Sequence, residues 1–350
     1  SIGSQAFEGC TALVCAEFPD GLVSVGERAF YGCTGLEILS FGGGVMQVET
    51  NAFRGCEALR AVEIGDLADW AASSFANVEY TNPLYYAEEI YVGGELTSDI
   101  VLPEGITAVG VAAFAYSKIT SVVIPGSVMT IGQYAFAYAS DLAEVTICDG
   151  VTTIGEYAFA YSSNLAAVTV PDSVTQIGEG AFFFANIREL SIGSGLQFIG
   201  ELAFLPERNC IENITVSAEN PYYFGIEKGL AERETGRLIL GAADCVLPDD
   251  GSIRSIGMAA FYGCGEIGSV FLPDSVTEIE EMAFLECTVG AVYFGGTAEQ
   301  WDAIEIGGDN QALDAALLYF YSEDPPADAG NYWHYAEDGK TIEIWVQETI

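Results

Sequence analysis

The chain has 350 residues and is strongly acidic, with 51 Asp and Glu against 11 Lys and Arg and a formal net charge of −40. Binding to nucleic-acid phosphates or to anionic membrane surfaces depends on basic side chains, so this balance argues against both as partners. The apolar residues come in short groups that fall well below the ~18 consecutive residues of a membrane-spanning helix, which predicts a chain that does not insert into a membrane.

A repeat of 22–23 residues runs through the chain and is marked by the dipeptide Ala-Phe. Five residues before each of these phenylalanines stands Ile or Val, which in most copies is followed by Gly. The marker phenylalanines are Phe7, Phe30, Phe53, Phe114, Phe136, Phe159, Phe182, Phe204, Phe261 and Phe284. A sustained period of this length predicts a solenoid, in which each repeat buries its apolar face against its neighbours.

Each repeat contains a segment L-x-x-V-x-I that alternates with period two, as expected of a short strand. In the copies at 142–147 and 165–170 we expect Val145, Ile147, Val168 and Val170 to point inward. A turn with Pro or Gly follows, and the leg V-T-x-I-G-x-x-A-F then returns over the strand. Parallel strands from successive coils are predicted to stack at roughly 4.8 Å.

The position three residues after the marker phenylalanine holds a small residue. It is Cys10, Cys33, Cys56, Cys264 and Cys287 in five copies, and Ser117, Ala139, Ser162 and Ala185 in four others. We therefore interpret these cysteines as buried packing residues with free thiols. The nine cysteines, which include Cys210, contain no C-x-x-C pair, so the spacing typical of zinc sites is absent.

Two long gaps between markers predict expanded coils near 66–105 and 216–250. Each gap contains an N-P element, at Asn82 and Asn220, followed by a predicted hairpin that turns at Gly93-Gly94 or around Thr235-Gly236. A closing segment is predicted at 295–322, where Thr297 and Gln300 fit a capping box that opens a short helix. Residues 1–322 would then form one solenoid, and 323–350 either a C-terminal hairpin cap or the start of another module.

The repeat unit I-G-x-x-A-F-x-x-C-x-x-L-x-x-V-x-I-P resembles the BspA-like, Treponema-type leucine-rich repeat. The resemblance covers residues 1 to about 322. It implies a mainly-β leucine-rich-repeat solenoid, a right-handed coil of ~23-residue units with a parallel sheet on the concave face. It also implies a secreted or surface-bound bacterial protein that takes part in adhesion.

The sequence contains no motif that predicts catalysis. No nucleophile is placed near the single histidine, His334, and the many carboxylates single out no acid–base pair. We therefore predict a protein that is not an enzyme, needs no cofactor and binds no metal. The excess of acidic residues predicts a monomer that stays in solution through self-repulsion.

Two surfaces are candidates for binding. The first is the outward strand face, with small polar side chains in successive coils that suit a protein loop or a glycan: Glu144, Thr146, Ala167, Thr169, Glu189, Ser191, Asn213 and Thr215. The second is an aromatic row two residues after the marker phenylalanine: Tyr116, Tyr138, Tyr161 and Phe184. Strand-compatible composition explains the first pattern equally well, and mutual stacking explains the second.

These observations predict a non-catalytic binding module that recognises an extracellular protein through the concave strand face. One alternative is a carbohydrate-binding accessory of a larger secreted enzyme. Another is a structural spacer that presents a further module.

Overall fold

The computed structural model describes residues 1–44, 46–207, 211–327 and 330–345. The chain divides into two compact units, the first made of residues 1–187 and 192–207, the second of residues 188–191 and 208–350. Both units consist of stacked parallel strands, and the fold is the predicted mainly-β solenoid with a spacing of ~23 residues.

The first unit alternates strands of three or four residues with strands of two residues. In chain order these are β1 (Cys15–Phe18), β2 (Ser24–Val25), β3 (Ile38–Phe41), β4 (Gln47–Val48), β5 (Ala61–Ile64), β6 (Ser74–Phe75), β7 (Glu89–Val92), β8 (Glu95–Leu96), β9 (Asp99–Val101), β10 (Ala108–Val109), β11 (Ser121–Ile124), β12 (Thr130–Ile131), β13 (Glu144–Ile147), β14 (Thr153–Ile154), β15 (Ala167–Val170), β16 (Gln176–Ile177), β17 (Glu189–Ile192), whose residues 189–191 belong to the second unit, and β18 (Phe198–Ile199). Helix α1 (Leu67–Ala72) and a 3₁₀ turn at Pro83–Tyr85 lie in the first expanded coil.

Each regular coil contributes to two parallel ladders rather than to one. The longer strands pair as β1-β3-β5-β7 and β9-β11-β13, and the short strands pair as β2-β4-β6 and β10-β12-β14-β16-β18. In the second ladder Ile131 lies beside Val109 and Ile154, which are the aliphatic residues five positions before the markers. The sequence pattern predicted that the apolar side chains of the returning segment V-T-x-I-G-x-x-A-F are buried. It did not predict that the backbone of this segment pairs with that of the neighbouring coil.

Among the described residues the marker phenylalanines stack in three runs: Phe7, Phe30 and Phe53 in the first, Phe114, Phe136, Phe159, Phe182 and Phe204 in the second, and Phe261 and Phe284 in the third. Phe136 lies 5.3 Å from Phe114 and 5.1 Å from Phe159 between ring centroids, with interplanar angles of 5° and 4°. All markers are fully buried except Phe7, which is 40% exposed at the beginning of the chain. Burial of these rings was the central prediction from the repeat, and it is confirmed.

In four coils the small residue three positions after the marker, Cys33, Cys56, Ser162 or Cys287, also donates a hydrogen bond to a marker carbonyl. The thiol of Cys56 donates to the carbonyl of Phe30 at 3.2 Å, and the hydroxyl of Ser162 donates to the carbonyl of Phe136 at 3.2 Å. The carbonyl is that of the marker one coil earlier. The described cysteines are free thiols, and Cys210 lies outside the described residues. Cys33, Cys56 and Cys264 are buried as predicted and Cys287 is partly buried, but the prediction of burial is wrong for Cys10, which is exposed in the first coil. Cys and Ser are therefore suited to this position both by size and by their donor group.

Glycine after the aliphatic residue allows the coils to approach closely. A Cβ atom on Gly155 would lie 2.8 Å from the carbonyl carbon of Gly132 in the preceding coil. That distance is too short for a side chain, which explains why most repeats have Gly here.

The first expanded coil packs a tryptophan into the core. Asp66 caps α1 by accepting hydrogen bonds from the amides of Ala68 and Asp69, and the buried indole of Trp70 donates to the carbonyl of Ala113 at 2.9 Å. Strands β7 and β8 then form an antiparallel hairpin through Gly93 and Gly94.

The second unit has longer strands and two short helices. Its remaining elements are β19 (Asn213–Val216), β20 (Tyr223–Glu232), β21 (Arg237–Val246), β22 (Ser255–Ile256), β23 (Gly265–Leu272), β24 (Glu278–Ile279), β25 (Cys287–Phe294), α2 (Ala298–Trp301), β26 (Glu305–Ile306), α3 (Gln311–Asp314), β27 (Leu317–Tyr321), β28 (Tyr332–Tyr335) and β29 (Ile342–Ile344). Strands β20 and β21 form an antiparallel hairpin, and β28 and β29 form another that continues the sheet from β27. The capping box between Thr297 and Gln300 is present.

The boundaries at 322 and 323, and the single solenoid they define, stay predictions. Residues 328–329 and 346–350 of the C-terminal segment lie outside the described residues. Within the described part of the chain, no helix combines the length and the apolar character that crossing a membrane requires.

Candidate functional site

Four residues of the predicted strand strip lie in the first unit. Glu144 and Thr146 occupy β13, and Ala167 and Thr169 occupy β15, each exposed between inward-facing neighbours. Among the described residues, no side-chain hydrogen bond holds the carboxylate of Glu144 or the two threonine hydroxyls. These groups are therefore free to contact a partner.

The other four residues of the strip lie in the second unit. Glu189 and Ser191 belong to β17, and Asn213 and Thr215 belong to β19. The hydroxyl of Thr215 donates to that of Ser191 at 2.9 Å, so this pair is already hydrogen bonded. Whether the eight residues act as one strip stays a prediction.

The outward strand positions of the first unit carry more carboxylates than the sequence analysis selected. We define the acidic strand face as Glu17, Glu63, Glu89, Asp99 and Glu144, which lie at outward positions of β1, β5, β7, β9 and β13. Parallel register places Glu17, Ser40 and Glu63 beside one another in successive strands, and likewise Asp99, Ser121 and Glu144. The same alternation that selected Glu144 could have identified the others.

Some of these carboxylates have partners. Asp99 accepts hydrogen bonds from the hydroxyls of Thr120 and Ser121 at 3.0 and 2.7 Å. The guanidinium of Arg60 lies 3.5 Å from Glu89 and 3.7 Å from Glu37. Glu144 forms no ion pair among the described residues and presents an uncompensated negative charge.

The aromatic row forms a stack. Tyr138 lies 4.5 Å from Tyr116 at an interplanar angle of 1°, and 4.5 Å from Tyr161 at 6°. Phe184 meets Tyr161 edge to face at 5.5 Å. Both faces of the Tyr138 ring are therefore covered, and all four residues of the row are half-buried.

All four residues of the row have a left-handed backbone. Their φ angles are +63° at Tyr116, +59° at Tyr138, +60° at Tyr161 and +55° at Phe184. A bulky residue with positive φ is unusual and disfavoured, whereas glycine adopts this region freely. Other coils place glycine at the equivalent positions, Gly9, Gly32, Gly55 and Gly263, each also with positive φ.

Further rings extend the row at both ends. Tyr85 contacts Tyr116 at 4.7 Å, and Phe183 contacts Phe184 at 4.2 Å. A second short stack, Tyr134 and Tyr157 at 5.3 Å, lies two residues before the markers, and Phe183 joins it to Tyr161. The first unit thus has a band of half-buried aromatic residues.

The hydroxyls of Tyr116, Tyr138 and Tyr157 stay protonated at neutral pH. Burial raises the pKa of Tyr116 and that of Tyr138 above the ordinary value of 10.0. A hydrogen bond from Tyr157 to Glu179 at 2.8 Å, together with burial, raises the pKa of Tyr157 to about 12. These groups can donate and accept hydrogen bonds but cannot serve as bases at neutral pH.

His334, in the second unit, has structural contacts. Its ring lies 4.0 Å from that of Trp345, its Nδ1 lies 2.9 Å from the carbonyl oxygen of Tyr335, and its Nε2 lies 3.9 Å from Glu343. None of these partners is a Ser or Cys side chain that the histidine could activate as a nucleophile. Among the residues that the structure describes, no cluster of three or more His, Cys, Asp and Glu could hold a metal ion.

The repeat identifies the family. The family model described as "BspA type Leucine rich repeat region" matches residues 1–95, 87–212 and 243–302, with six copies. The chain belongs to this family. No curated protein matches the BspA-type chain.

Solved structures of bacterial leucine-rich repeat proteins are similar to this BspA-type chain. One from Bacteroides ovatus is 19% identical, with a TM-score of 0.51 over 96% of this chain and 88% of that one. A leucine rich cell surface protein from Faecalibacterium prausnitzii is 22% identical, with a TM-score of 0.44 over 87% of this chain and 85% of that one. A protein from Eubacterium ventriosum is 19% identical, with a TM-score of 0.49. The match covers 64% of this chain and only 60% of the Eubacterium protein. The likeness to the Bacteroides protein supports the fold.

Proposed function

We propose that the chain is a non-catalytic binding module of a secreted or surface-bound bacterial protein, and that its acidic strand face recognises a cationic segment of an extracellular protein. The observation that carries this proposal is the set of outward carboxylates fixed on hydrogen-bonded parallel strands. A preformed face of this kind loses little conformational entropy when a partner binds.

Charge complementarity supports a cationic partner. The chain has 51 acidic residues against 11 basic ones, so its long-range field attracts positive surfaces and repels negative ones. Glu144 adds a local charge without an ion-pair partner among the described residues, and Thr146 offers a hydroxyl beside it. Binding should weaken as salt concentration rises, because exposed charges are screened.

A glycan is the second candidate, and the aromatic row does not favour it. Sugar rings stack on an open aromatic face, whereas both faces of Tyr138 are covered by its neighbours. A glycan would have to bind through hydroxyl and carboxylate groups of the strand face instead.

Surface plasmon resonance of the full chain against purified extracellular-matrix proteins and a glycan panel tests the proposal. For a matrix protein that binds, we expect the double substitution E63Q/E144Q to weaken binding about 5–10-fold at low salt, or on the order of 1 kcal/mol. The control is E156Q/E201Q, which removes two exposed carboxylates from outside the acidic strand face and should leave affinity unchanged.

Three results would count against the proposal. Equal losses in both variants would indicate bulk charge rather than a face. Binding to glycans and not to proteins would support the second candidate. Absence of binding to every probe, with no effect of E63Q/E144Q on adhesion of cells displaying the chain, would favour a spacer.

A further inference from the structure

A pocket in the second unit brings two arginines together. It lies between the β20–β21 hairpin and the loop that follows it, and its lining includes Phe224, Ile226, Val246, Pro248, Arg233 and Arg254. Four of these six residues are apolar, so the pocket has an apolar wall beside two guanidinium groups. The chain has only 11 Lys and Arg, and two of them line this one pocket.

Neither arginine is neutralised by a neighbouring carboxylate. Within the described residues, no Asp or Glu oxygen lies within 4.0 Å of either guanidinium, although most of the described basic side chains do form ion pairs. Those paired side chains are Arg28, Arg60, Lys118, Arg188, Lys228 and Arg237. With acidic residues in such excess, two uncompensated charges in one pocket indicate a site that is suited to an anion.

Local contacts hold the side chain of Arg233 and the backbone of Arg254. Arg233 donates from Nε to the carbonyl of Asn220 at 3.0 Å, and its guanidinium lies 5.3 Å from the centre of the Phe224 ring. The backbone amide of Arg254 donates to the carbonyl of Gly236 at 2.8 Å. Arg233 therefore keeps its terminal nitrogens available, and it is oriented before any ligand arrives.

Two carboxylates limit the charge that the pocket can accept. Glu227 and Asp250 also line it. Hydrogen bonding by Ser252, whose backbone amide donates to Asp250 at 2.9 Å, holds the pKa of Asp250 below its ordinary value, so Asp250 is ionised at neutral pH. Although neither carboxylate forms an ion pair with the arginines, both would repel a phosphate or another multiply charged anion more strongly than a singly charged one. A single carboxylate placed between the guanidiniums is the better match.

We propose that this pocket binds the C-terminal carboxylate of a peptide chain that ends with an apolar residue. Guanidinium groups pair with carboxylates through two parallel hydrogen bonds. The wall formed by Phe224, Ile226, Val246 and Pro248 would take the last side chain, and Glu227 or Asp250 would accept from the peptide amide. Capture of chain termini by preorganised polar groups is a recurrent form of peptide recognition.

The test uses the full chain and a pair of ligands that differ only in charge, acetyl-glycyl-leucine as free acid and as amide. We expect the acid to bind in the range of about 0.1–1 mM by isothermal titration calorimetry or ligand-observed NMR, as for a small ligand with few contacts. The amide should bind at least tenfold more weakly. This comparison needs no variant, so it does not depend on how a substitution affects folding.

Substitutions then locate the site. R254Q and R233Q should each weaken binding of the acid about tenfold, and R233K should weaken it less. The control K340Q removes a cation elsewhere in the second unit and should have no effect. Equal binding of acid and amide, or insensitivity to R254Q, would overturn the proposal. Binding of inorganic phosphate or glucuronate with the same arginine dependence would also overturn it, by assigning a different ligand. The acidic strand face lies in the first unit, so E63Q/E144Q should leave this binding intact.

Discussion

The coils at residues 2–56 and those at residues 109–184 build the same left-handed turn from different residues. Two positions after the marker phenylalanine, the earlier coils have Gly32 with φ +70° and Gly55 with φ +80°, whereas the later ones have Tyr138 with φ +59°. The left-handed conformation costs a residue with a Cβ roughly 1–2 kcal/mol. Stacked rings recover about 0.5–1.5 kcal/mol for each pair beyond the area they bury. The solenoid backbone therefore imposes the turn, and stacking between coils makes an aromatic residue tolerable there.

The largest effect should be common to both regions, because buried marker phenylalanines stack in each of them. We expect F53A and F136A each to lower the free energy of unfolding by about 3–5 kcal/mol, the usual range for a buried phenylalanine. Denaturant titration followed by circular dichroism measures this loss. F7A is the control, since Phe7 is 40% exposed and should lose much less. A loss in F136A no greater than that in F7A would contradict a stabilising role for the buried marker stacks.

Alkaline pH should separate the two regions. Burial raises the pKa of Cys56 from 9.0 to about 12, and the hydrogen bond to Glu179 with burial raises that of Tyr157 from 10.0 to about 12. A raised pKa in the folded state means that protonation favours folding. The contribution is complete below the unfolded pKa and is lost as pH rises toward 12, at up to about 1.4 kcal/mol per pKa unit for a buried group. The coil that contains Cys56 should lose stability from about pH 9, and the coil that contains Tyr157 should lose stability from about pH 10.

Unfolding titrations between pH 7 and 11.5 check this order. C56S keeps a donor at the same position and should lose less stability than the parent chain between pH 8 and 10. Y157F lacks the hydrogen bond to Glu179 and should be less stable than the parent chain at pH 7, but its pH dependence should depart from that of the parent only above about pH 10, where its decline is shallower. Parallel curves for all three proteins would mean that neither group controls the alkaline transition.

A pair of substitutions at Tyr138 measures what stacking contributes against what the backbone costs. Y138A removes both stacked contacts and keeps a Cβ in the left-handed turn, whereas Y138G removes the contacts and relieves the turn. We therefore expect Y138G to be more stable than Y138A by about 1 kcal/mol, the reverse of the order found in helices. G32A, in the other region, should destabilise by a similar amount. If Y138A were the more stable variant, the turn would not be constrained in the aromatic coils.

How much of this could be predicted depended on whether a feature repeats along the chain. The inward positions of Val168 and Val170 and the marker stack follow from periods of two and 23, so the sequence predicts them. The left-handed turn at Tyr138 could be predicted only by aligning Tyr138 with Gly32, which stands at the same position of an earlier repeat. Tyrosine by itself has no preference for positive φ. Arg233 and Arg254 line one pocket at the second expanded coil, where the repeat does not predict which residues lie close together.

The smallest effect concerns the hydrogen bond three residues after the marker. Ser162 donates to the carbonyl of Phe136, whereas the buried hydroxyl of Ser117 has no hydrogen-bond partner among the described residues. Ser117 follows the expanded coil, so the marker carbonyl one regular coil earlier is missing from its surroundings. S162A should therefore destabilise by about 1 kcal/mol, while S117A should be neutral or slightly stabilising, since removing an unpaired buried hydroxyl ends its desolvation cost. Denaturant midpoints of the two variants decide this. Equal losses would mean that small size alone decides which residues occupy this position, both in the coils at residues 2–56 and in those at residues 109–184.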